Sequence, residues 1–230
     1  MQDLAIYKKE FRGSSLQYCD VPHCPHYMSD EDVVRERWWH IQPEDIVLDI
    51  GAAFGSYSLI ACALGGRVHA FSPEQDCIDT FRKNVSLNQF EDRCEIYEFG
   101  IYDKPGFLNP VSQVFSDVPI TNAVSFPVIE LDKFIADKNI QKVDWIKIDV
   151  EGAEVEVVRS GLGTIKKWAP HIIVENHLFV NGHIDLDVRD VVMSTNIPYK
   201  YVTFPYHGVS HTLYIARNIP TVMFAANPWS

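Results

Sequence analysis

The stretch from Val47 to Ser58 reads VLDIGAAFGSYS and contains an apolar strand, a turn of small residues and the start of a helix. Small residues let the backbone approach a ligand closely, and a helix N-terminus presents free amides and the positive end of a dipole. The stretch lacks the lysine of a phosphate-binding loop, and Ala53 stands where the dinucleotide fingerprint has its second glycine. It therefore predicts either a site for another ligand or a tight strand-to-helix turn without one.

Short apolar runs alternate with helical periodicity from Ile46 onward, the pattern of a parallel sheet covered by helices. Seven runs are predicted to be strands: residues 46–50, 67–71, 94–99, 145–150, 171–175, 200–204 and 212–216. Apolar residues spaced three or four apart predict helices over residues 57–64, 77–85 and 188–192. We expect residues 1–45 to form a helical and irregular cap, and residues 46–230 to form one domain.

The composition excludes several classes of protein. The chain has 230 residues, 47% hydrophobic and 22% charged, which suits one cored domain and is not typical of a disordered or fibrous chain. Its formal net charge of −11 repels phosphate backbones, so long nucleic acid is not an expected partner. The five cysteines are irregularly spaced, no signal peptide is visible, and no uncharged run reaches the about 20 residues of a membrane span. These features predict a cytoplasmic protein without membrane contact.

The second predicted strand is followed by Ser72, Pro73 and Glu74. Nucleotide-binding sheets often place an acid at this strand end, where it binds the ribose hydroxyls. Ser72 also fits the N-cap of the next helix, with Pro73 as its first residue and Gln75 as the capping-box partner. The pattern leaves both roles open, a ribose contact by Ser72 or Glu74 and a structural helix start.

Three segments of the chain resemble the FkbM-type family of S-adenosylmethionine-dependent methyltransferases. They are residues 48–58 (LDIGAAFGSYS), 128–135 (VIELDKFI) and 144–154 (DWIKIDVEGAE). The resemblance implies a Rossmann-like class I methyltransferase fold, an α/β fold whose seven-stranded, mainly parallel sheet has an antiparallel last strand and helices on both faces. It also implies S-adenosylmethionine across the carboxyl ends of the first strands and methyl transfer to a hydroxyl oxygen. The glutamate that the family usually has at the second strand end is replaced here by Ser72.

The resemblance also indicates which residues bind the cofactor. They lie in the glycine loop and at the ends of the third and fourth strands: Asp49, Gly51, Ala52, Gly55, Ser56, Tyr57, Gly100, Ile101 and Asp149. At the end of the second strand the candidates are Ser72 and Glu74, and the replacement of the family's glutamate leaves open which of them contacts the ribose.

Two neighbouring predicted strands lead into polar residues, Asp149 after one and Glu175, Asn176 and His177 after the next. Strand ends at one edge of an open α/β sheet form its ligand crevice. Asp149, Glu175 and Asn176 offer the oxygen ligands that magnesium prefers, and they resemble the metal site of catechol-type O-methyltransferases. A metal there would lower the pKa of the acceptor hydroxyl. In the metal-free alternative, Glu175 or His177 is the general base, since histidine ordinarily titrates near neutral pH.

Three further patterns lead to weaker hypotheses. Glu154 falls in the first turn of a predicted helix, where the helix dipole favours acids. The proline-rich residues 106–128 are predicted to be a lid or binding loop. Four possible zinc ligands near the N-terminus lack the spacing of a zinc finger, which favours a loop over the cofactor or acceptor: Cys19, His23, Cys24 and His26.

The sequence thus predicts an S-adenosylmethionine-dependent O-methyltransferase that acts on a hydroxyl of a small molecule such as a sugar or polyketide, with magnesium as a possible second cofactor. The alternative is a protein that binds the cofactor without catalysis or is active only with a partner. A nicotinamide oxidoreductase is disfavoured because the dinucleotide glycine spacing is absent.

Overall fold

The computed structural model describes residues 5–19, 21, 24, 27–29, 31–109, 115–120, 125–177, 184–206 and 209–216. The strands are β1 (Ile6–Phe11), β2 (Ser14–Cys19), β3 (Ile46–Ile50), β4 (Arg67–Phe71), β5 (Cys94–Tyr97), β6 (Gly100–Ile101), β7 (Gly106–Leu108), β8 (Phe115–Ser116), β9 (Phe126–Ile129), β10 (Trp145–Ile148), β11 (His171–Asn176), β12 (Lys200–Tyr206) and β13 (Val209–Ile215). The helices are α1 (Asp32–Trp38), α2 (Ser56–Ala63), α3 (Gln75–Leu87), α4 (Leu131–Asp137), α5 (Glu154–Ser160), α6 (Leu162–Trp168) and α7 (Ile184–Met193).

The main sheet has seven strands in the order β12-β13-β11-β10-β3-β4-β5. β13 runs antiparallel to both of its neighbours, and the other strands are parallel to one another. The predicted fold class, a seven-stranded and mainly parallel α/β sheet with an antiparallel last strand, is therefore confirmed. The carboxyl ends of β3, β4, β10 and β11 lie at one edge of this sheet, and this edge carries the candidate site.

Side-chain alternation along the central strands divides the core between the two faces of the sheet. Val47 and Trp145 pack in one hydrophobic cluster with α1, α2 and α3. Leu48, Ile50 and Ile146 pack in the other with α4, α5 and α7. Because both faces are covered by helices, the central strands are mostly apolar, which explains why the sequence pattern identified them.

The N-terminal segment differs from its prediction, because residues 6–19 form a β-hairpin rather than irregular structure. Its two-residue turn, Arg12-Gly13, has positive φ at both positions, the geometry that suits the twist of a hairpin. Arginine is an unusual residue at such a position, so the turn gave no sequence signal. The hairpin packs against α2 and α3, and the backbone amides of Gln17 and Cys19 donate hydrogen bonds to the side-chain oxygens of Asn88 and Asn84.

Two other expectations are corrected in detail. The described part of residues 106–128 is not a structureless loop, since β7, β8 and β9 join β6 in a small four-stranded sheet. Helix α3 begins at Gln75 with Glu74 as its N-cap residue, so Ser72 is not the cap. Within the described residues, no helix is long and apolar enough to cross a membrane.

Candidate active site

A cleft of about 180 Å³, partly open to solvent, lies at the carboxyl edge of β3, β4 and β10. Six of the predicted cofactor residues line it: Gly51, Ser72, Glu74, Gly100, Ile101 and Asp149. Leu108 and Phe126 of the small sheet form an apolar wall of the cleft, and the role of this segment as a lid or binding loop stays a prediction. An apolar cleft with a few polar groups is typical of small-molecule sites.

Gly51 is required by the shape of this edge. Its φ is +84°, and a Cβ at this position would lie 1.6 Å from the carbonyl oxygen of Asp149. The loop after β3 therefore passes directly against the end of β10, which a larger residue would prevent. Gly55, with φ of +88°, is the N-cap residue of α2 and lies against the ring of Phe81.

Five predicted cofactor residues are not among those that line the cleft: Asp49, Ala52, Gly55, Ser56 and Tyr57. Asp49 is fully buried and accepts a hydrogen bond of 2.6 Å from Ser58. Tyr57 is buried against Trp39, and its hydroxyl donates to Glu31. Asp49 and Tyr57 thus support the glycine loop through buried contacts. The contact of all five residues with a cofactor stays a prediction.

Lys147 is a buried cation that joins the glycine loop to the strand ends. Its Nζ donates to the carbonyl oxygen of Gly51 (3.0 Å) and to Asp149 Oδ2 (2.9 Å), and it lies 3.8 Å from Asp49 Oδ1. Burial lowers the pKa of Lys147, but the charges of Asp149 and Asp49 outweigh this effect and raise the pKa above its ordinary value. The lysine therefore stays charged and neutralises part of the acidic edge.

His177 lies at the centre of a group of carboxylates just beyond β11. Its Nδ1 is 2.8 Å from Glu154 Oε1, and its Nε2 lies 3.3 Å from Glu151 and 3.7 Å from both Asp149 and Glu175. Burial lowers the pKa of His177, but the hydrogen bond to Glu154 and the surrounding negative charges raise it to about 9. This raised pKa favours a protonated ring at neutral pH, and the assignment of His177 as a general base stays a prediction.

A second group of charges connects the N-terminal segment to the same edge. His211 of β13 is buried with Nε2 3.4 Å from Glu31 Oε2 and 3.4 Å from Glu175 Oε2. Burial lowers the pKa of His211, but hydrogen bonds to Glu175 and Glu31 raise it to about 9. Burial raises the pKa of Glu175 despite its hydrogen bond with His211. Glu175 is thus a carboxylate of increased basicity, next to both histidines.

The three residues of the predicted magnesium set have different surroundings. Asp149 is paired with Lys147, and Glu175 lies between His177 and His211. Asn176 is buried and its Nδ2 donates to Ser210 and Thr212 of β13, while its Oδ1 has no hydrogen-bond partner within the described ranges. The positive charges of the lysine and the histidines thus neutralise the carboxylates of Asp149 and Glu175, which a metal ion would need as ligands. Of the possible zinc ligands, Cys19 and Cys24 are described and form no disulfide bond with another described residue, whereas His23 and His26 lie outside the described residues.

Sequence reasoning missed Glu31, Lys147 and His211. Lys147 left a signal, since a lysine within the apolar run Trp145–Ile148 must be buried with a partner. His211 lay one residue before the predicted last strand, which in fact begins at Val209. Glu31 gave no signal, because its partners come from distant parts of the chain.

Comparison with known proteins bears on what this edge does. The model of the family described as "Methyltransferase FkbM domain" matches residues 49–195. A hexuronic acid methyltransferase, AglP of Haloferax volcanii, is 24% identical over 167 residues, which cover 70% of this chain and 66% of AglP. The match thus spans slightly less than two thirds of that relative.

Solved structures share the fold at low sequence identity. Methyltransferase FkbM from Methylobacillus flagellatus has a TM-score of 0.61 and 14% identity, over 76% of this chain and 44% of that one. Precorrin 8w decarboxylase of Methanobacterium thermoautotrophicum has a TM-score of 0.54 and 14% identity, over 86% of this chain and 95% of that one. At these identities the likeness concerns the fold alone.

Proposed function

Because the chain belongs to the FkbM methyltransferase family, we propose that it transfers a methyl group from S-adenosylmethionine to a hydroxyl oxygen of a small sugar-like acceptor. The observation that carries this proposal is the continuity between the cleft and the charged edge. Asp149 both lines the cleft and lies 3.7 Å from His177. One end of a ligand bound in the cleft would therefore lie beside His177 and the carboxylates around it.

The cleft suits a nucleoside cofactor. Gly51 leaves room at the carboxyl end of β3, Ile101, Leu108 and Phe126 offer an apolar surface for a base, and Ser72 with Glu74 offers polar atoms for a ribose. When bound, S-adenosylmethionine supplies an activated methyl group on a sulfonium sulfur. We assign the methionine half to the Asp149 side, because this side adjoins the groups that can receive a proton.

Glu175 is the proposed base. Its carboxylate has a raised pKa and lies beside His177 and His211, both of which are cations at neutral pH. As the oxygen–carbon bond forms and the sulfur–carbon bond breaks, the hydroxyl proton passes to Glu175, and the products are a methyl ether and S-adenosylhomocysteine. Holding the two reactants in the correct relative orientation can lower the activation barrier of such a transfer by about 7–11 kcal/mol. His177 acts in this scheme as a hydrogen-bond donor that orients the acceptor rather than as the base.

We propose that the transfer needs no metal ion. Asp149 is already paired with Lys147 at 2.9 Å, and two histidinium rings flank Glu175, so a dication would have to displace or oppose existing positive charges. Turnover should therefore survive treatment with EDTA. Activity that disappears with EDTA and returns with magnesium would instead support the set Asp149, Glu175 and Asn176.

The acceptor class is supported by the relative AglP, whose name specifies a hexuronic acid. The test incubates the purified chain with S-adenosylmethionine and glucuronic acid, free and glycosidically linked, alongside neutral sugars, and measures S-adenosylhomocysteine. Asp149→Asn should abolish turnover, and Asp137→Asn, an exposed acid on α4, is the matched control. Mild alkali then separates the products, because it hydrolyses a methyl ester and leaves a methyl ether intact.

Two outcomes would contradict the proposal. If calorimetry finds no binding of S-adenosylhomocysteine, the cofactor assignment fails. If the cofactor binds but none of the acceptors is methylated, the protein fits a non-catalytic or partner-dependent role better.

A further inference from the structure

Glu154 is buried in a way that its helix does not require. It is the first residue of α5, where the helix dipole favours an acid, yet its exposed fraction is 0%. Glu156, two residues later in the same turn, is only partly buried and can interact with the dipole equally well. Desolvating a carboxylate is costly, so the burial of Glu154 must be compensated by specific partners.

Those partners are His177 and the loop after β10. Glu154 Oε1 accepts a hydrogen bond from His177 Nδ1 at 2.8 Å and another from the backbone amide of Gly152 at 3.0 Å. Gly152 belongs to the loop that carries Asp149 and Glu151, and this loop turns sharply, with positive φ at Glu151 and Gly152. One oxygen thus fixes the histidine ring relative to the loop that borders the cleft.

This contact determines which nitrogen of the His177 ring faces the carboxylates at the strand ends. With Nδ1 held by Glu154, Nε2 is directed toward Glu151, Asp149 and Glu175, at 3.3, 3.7 and 3.7 Å. The second oxygen of Glu154, Oε2, is buried and has no hydrogen-bond partner among the residues the structure describes. An acid that only stabilised the helix would not be expected to carry such an unpaired buried oxygen, because leaving it unpaired is destabilising.

We propose that Glu154 is a positioning residue of the methyl transfer, which holds His177 through Nδ1 so that Nε2 faces the carboxylates that receive the acceptor. The proposal rests on the function proposed above, and it assigns the orientation of the ring to a residue outside the cleft. Glu154 has no direct contact with the reactants in this scheme and acts only through His177.

The first test compares Glu154→Gln, which keeps an acceptor oxygen for Nδ1 and for the Gly152 amide, with Glu154→Leu, which removes both. Glu156→Gln and Glu156→Leu are the matched controls in the same helical turn. We expect Glu154→Leu to lower kcat by about 10- to 100-fold, since small misplacements in an active site have effects of this size. The KM for S-adenosylmethionine should stay unchanged, Glu154→Gln should recover most of the activity, and the Glu156 variants should resemble the parent chain.

Two further measurements separate positioning from general destabilisation. In a His177→Gln background, Glu154→Leu should have less than about a threefold additional effect, because the two residues act as one unit. Proton NMR of the resting protein should show a slowly exchanging downfield Nδ1 proton of His177, assigned by its loss in His177→Gln. The signal should persist in Glu154→Gln and vanish in Glu154→Leu.

Wild-type kcat in Glu154→Leu, equal losses in both Glu154 variants, or full additivity with His177→Gln would overturn the proposal. Because the NMR signal does not depend on turnover, it tests the orientation of His177 even if the acceptor is wrongly assigned. A downfield signal without methyl transfer would count against the proposed function, and its absence from the wild-type protein would count against the positioning role.

Discussion

At the scale of single residues, the cleft depends most directly on Gly51. Two properties of glycine are used there, the positive φ and the absence of a Cβ that would collide with the Asp149 carbonyl. Gly13 offers a natural comparison, because its φ is also +84° but nothing lies within 4 Å of a Cβ built on it.

Gly51→Ala and Gly13→Ala should therefore have different effects. Both substitutions place an alanine in the left-handed region, at a conformational cost of about 1–2 kcal/mol. Gly51→Ala should be destabilised further and should lose affinity for S-adenosylhomocysteine, since the loop after β3 must move. Urea unfolding and calorimetry of the two variants measure this. Equal stability and equal affinity would mean that the close approach to Asp149 is unimportant.

At the scale of elements, the N-terminal segment is held at the carboxyl edge of the main sheet by buried charges as well as by apolar packing. Glu31, just before α1, accepts a hydrogen bond from the hydroxyl of Tyr57 and lies 3.4 Å from His211 on β13. Burial raises the pKa of Glu31, but the hydrogen bond from His211 and nearby cations lower it to about 2, so this carboxylate stays ionised. The contact between Glu31 and His211 therefore depends mainly on the positive charge of His211.

The free energy of unfolding should accordingly fall in alkaline solution. The pKa of His211 is raised from 6.5 to about 9 on folding, so its stabilisation is complete below about pH 6.5 and is lost as the pH rises through about 9. The loss should be on the order of 3 kcal/mol at most, since one pKa unit corresponds to about 1.4 kcal/mol. His177 titrates in the same pH range. His211→Gln should therefore remove part of the pH dependence of the unfolding free energy, and His177→Gln should remove another part.

Urea unfolding between pH 6 and pH 10 tests this expectation, and amide exchange of α1 reports whether the N-terminal segment loosens first. An identical pH dependence in His211→Gln and the parent chain would show that the contact with Glu31 contributes nothing to stability.

At the scale of the whole molecule, the glycine loop, the strand ends and the small sheet contribute to one cleft, so a ligand there should stabilise the entire fold. A ligand that binds only the folded state adds about 2.7 kcal/mol at a concentration 100 times its Kd. For a chain of this length we expect S-adenosylhomocysteine to raise the Tm by about 5–10 °C.

NADH is the control ligand for this measurement and should leave the Tm unchanged, because the glycine spacing of a dinucleotide site is absent. A shift with NADH and none with S-adenosylhomocysteine would contradict the cofactor assignment.

The main sheet and the glycine loop could be predicted from the amino-acid sequence. Predicted and observed bounds agree for β3 and β4, and the predicted apolar face of α3, Cys77, Phe81 and Val85, is buried. These features were accessible because hydrophobic periodicity and small-residue turns are local properties, written in consecutive residues. The hairpin was missed because its turn uses Arg12 in a conformation that arginine rarely adopts.

The contacts among the charged side chains could not be predicted, because they depend on how elements distant in the chain pack together. Glu31, Glu175 and His211 come from three distant segments, and their convergence follows from the antiparallel placement of β13 beside β11 and from the packing of the N-terminal segment. The pKa of His177 follows from burial among carboxylates of the loop after β10, α5 and β11, which no local pattern specifies. Local patterns fix secondary structure, whereas the charge on a buried ring depends on every element packed around it.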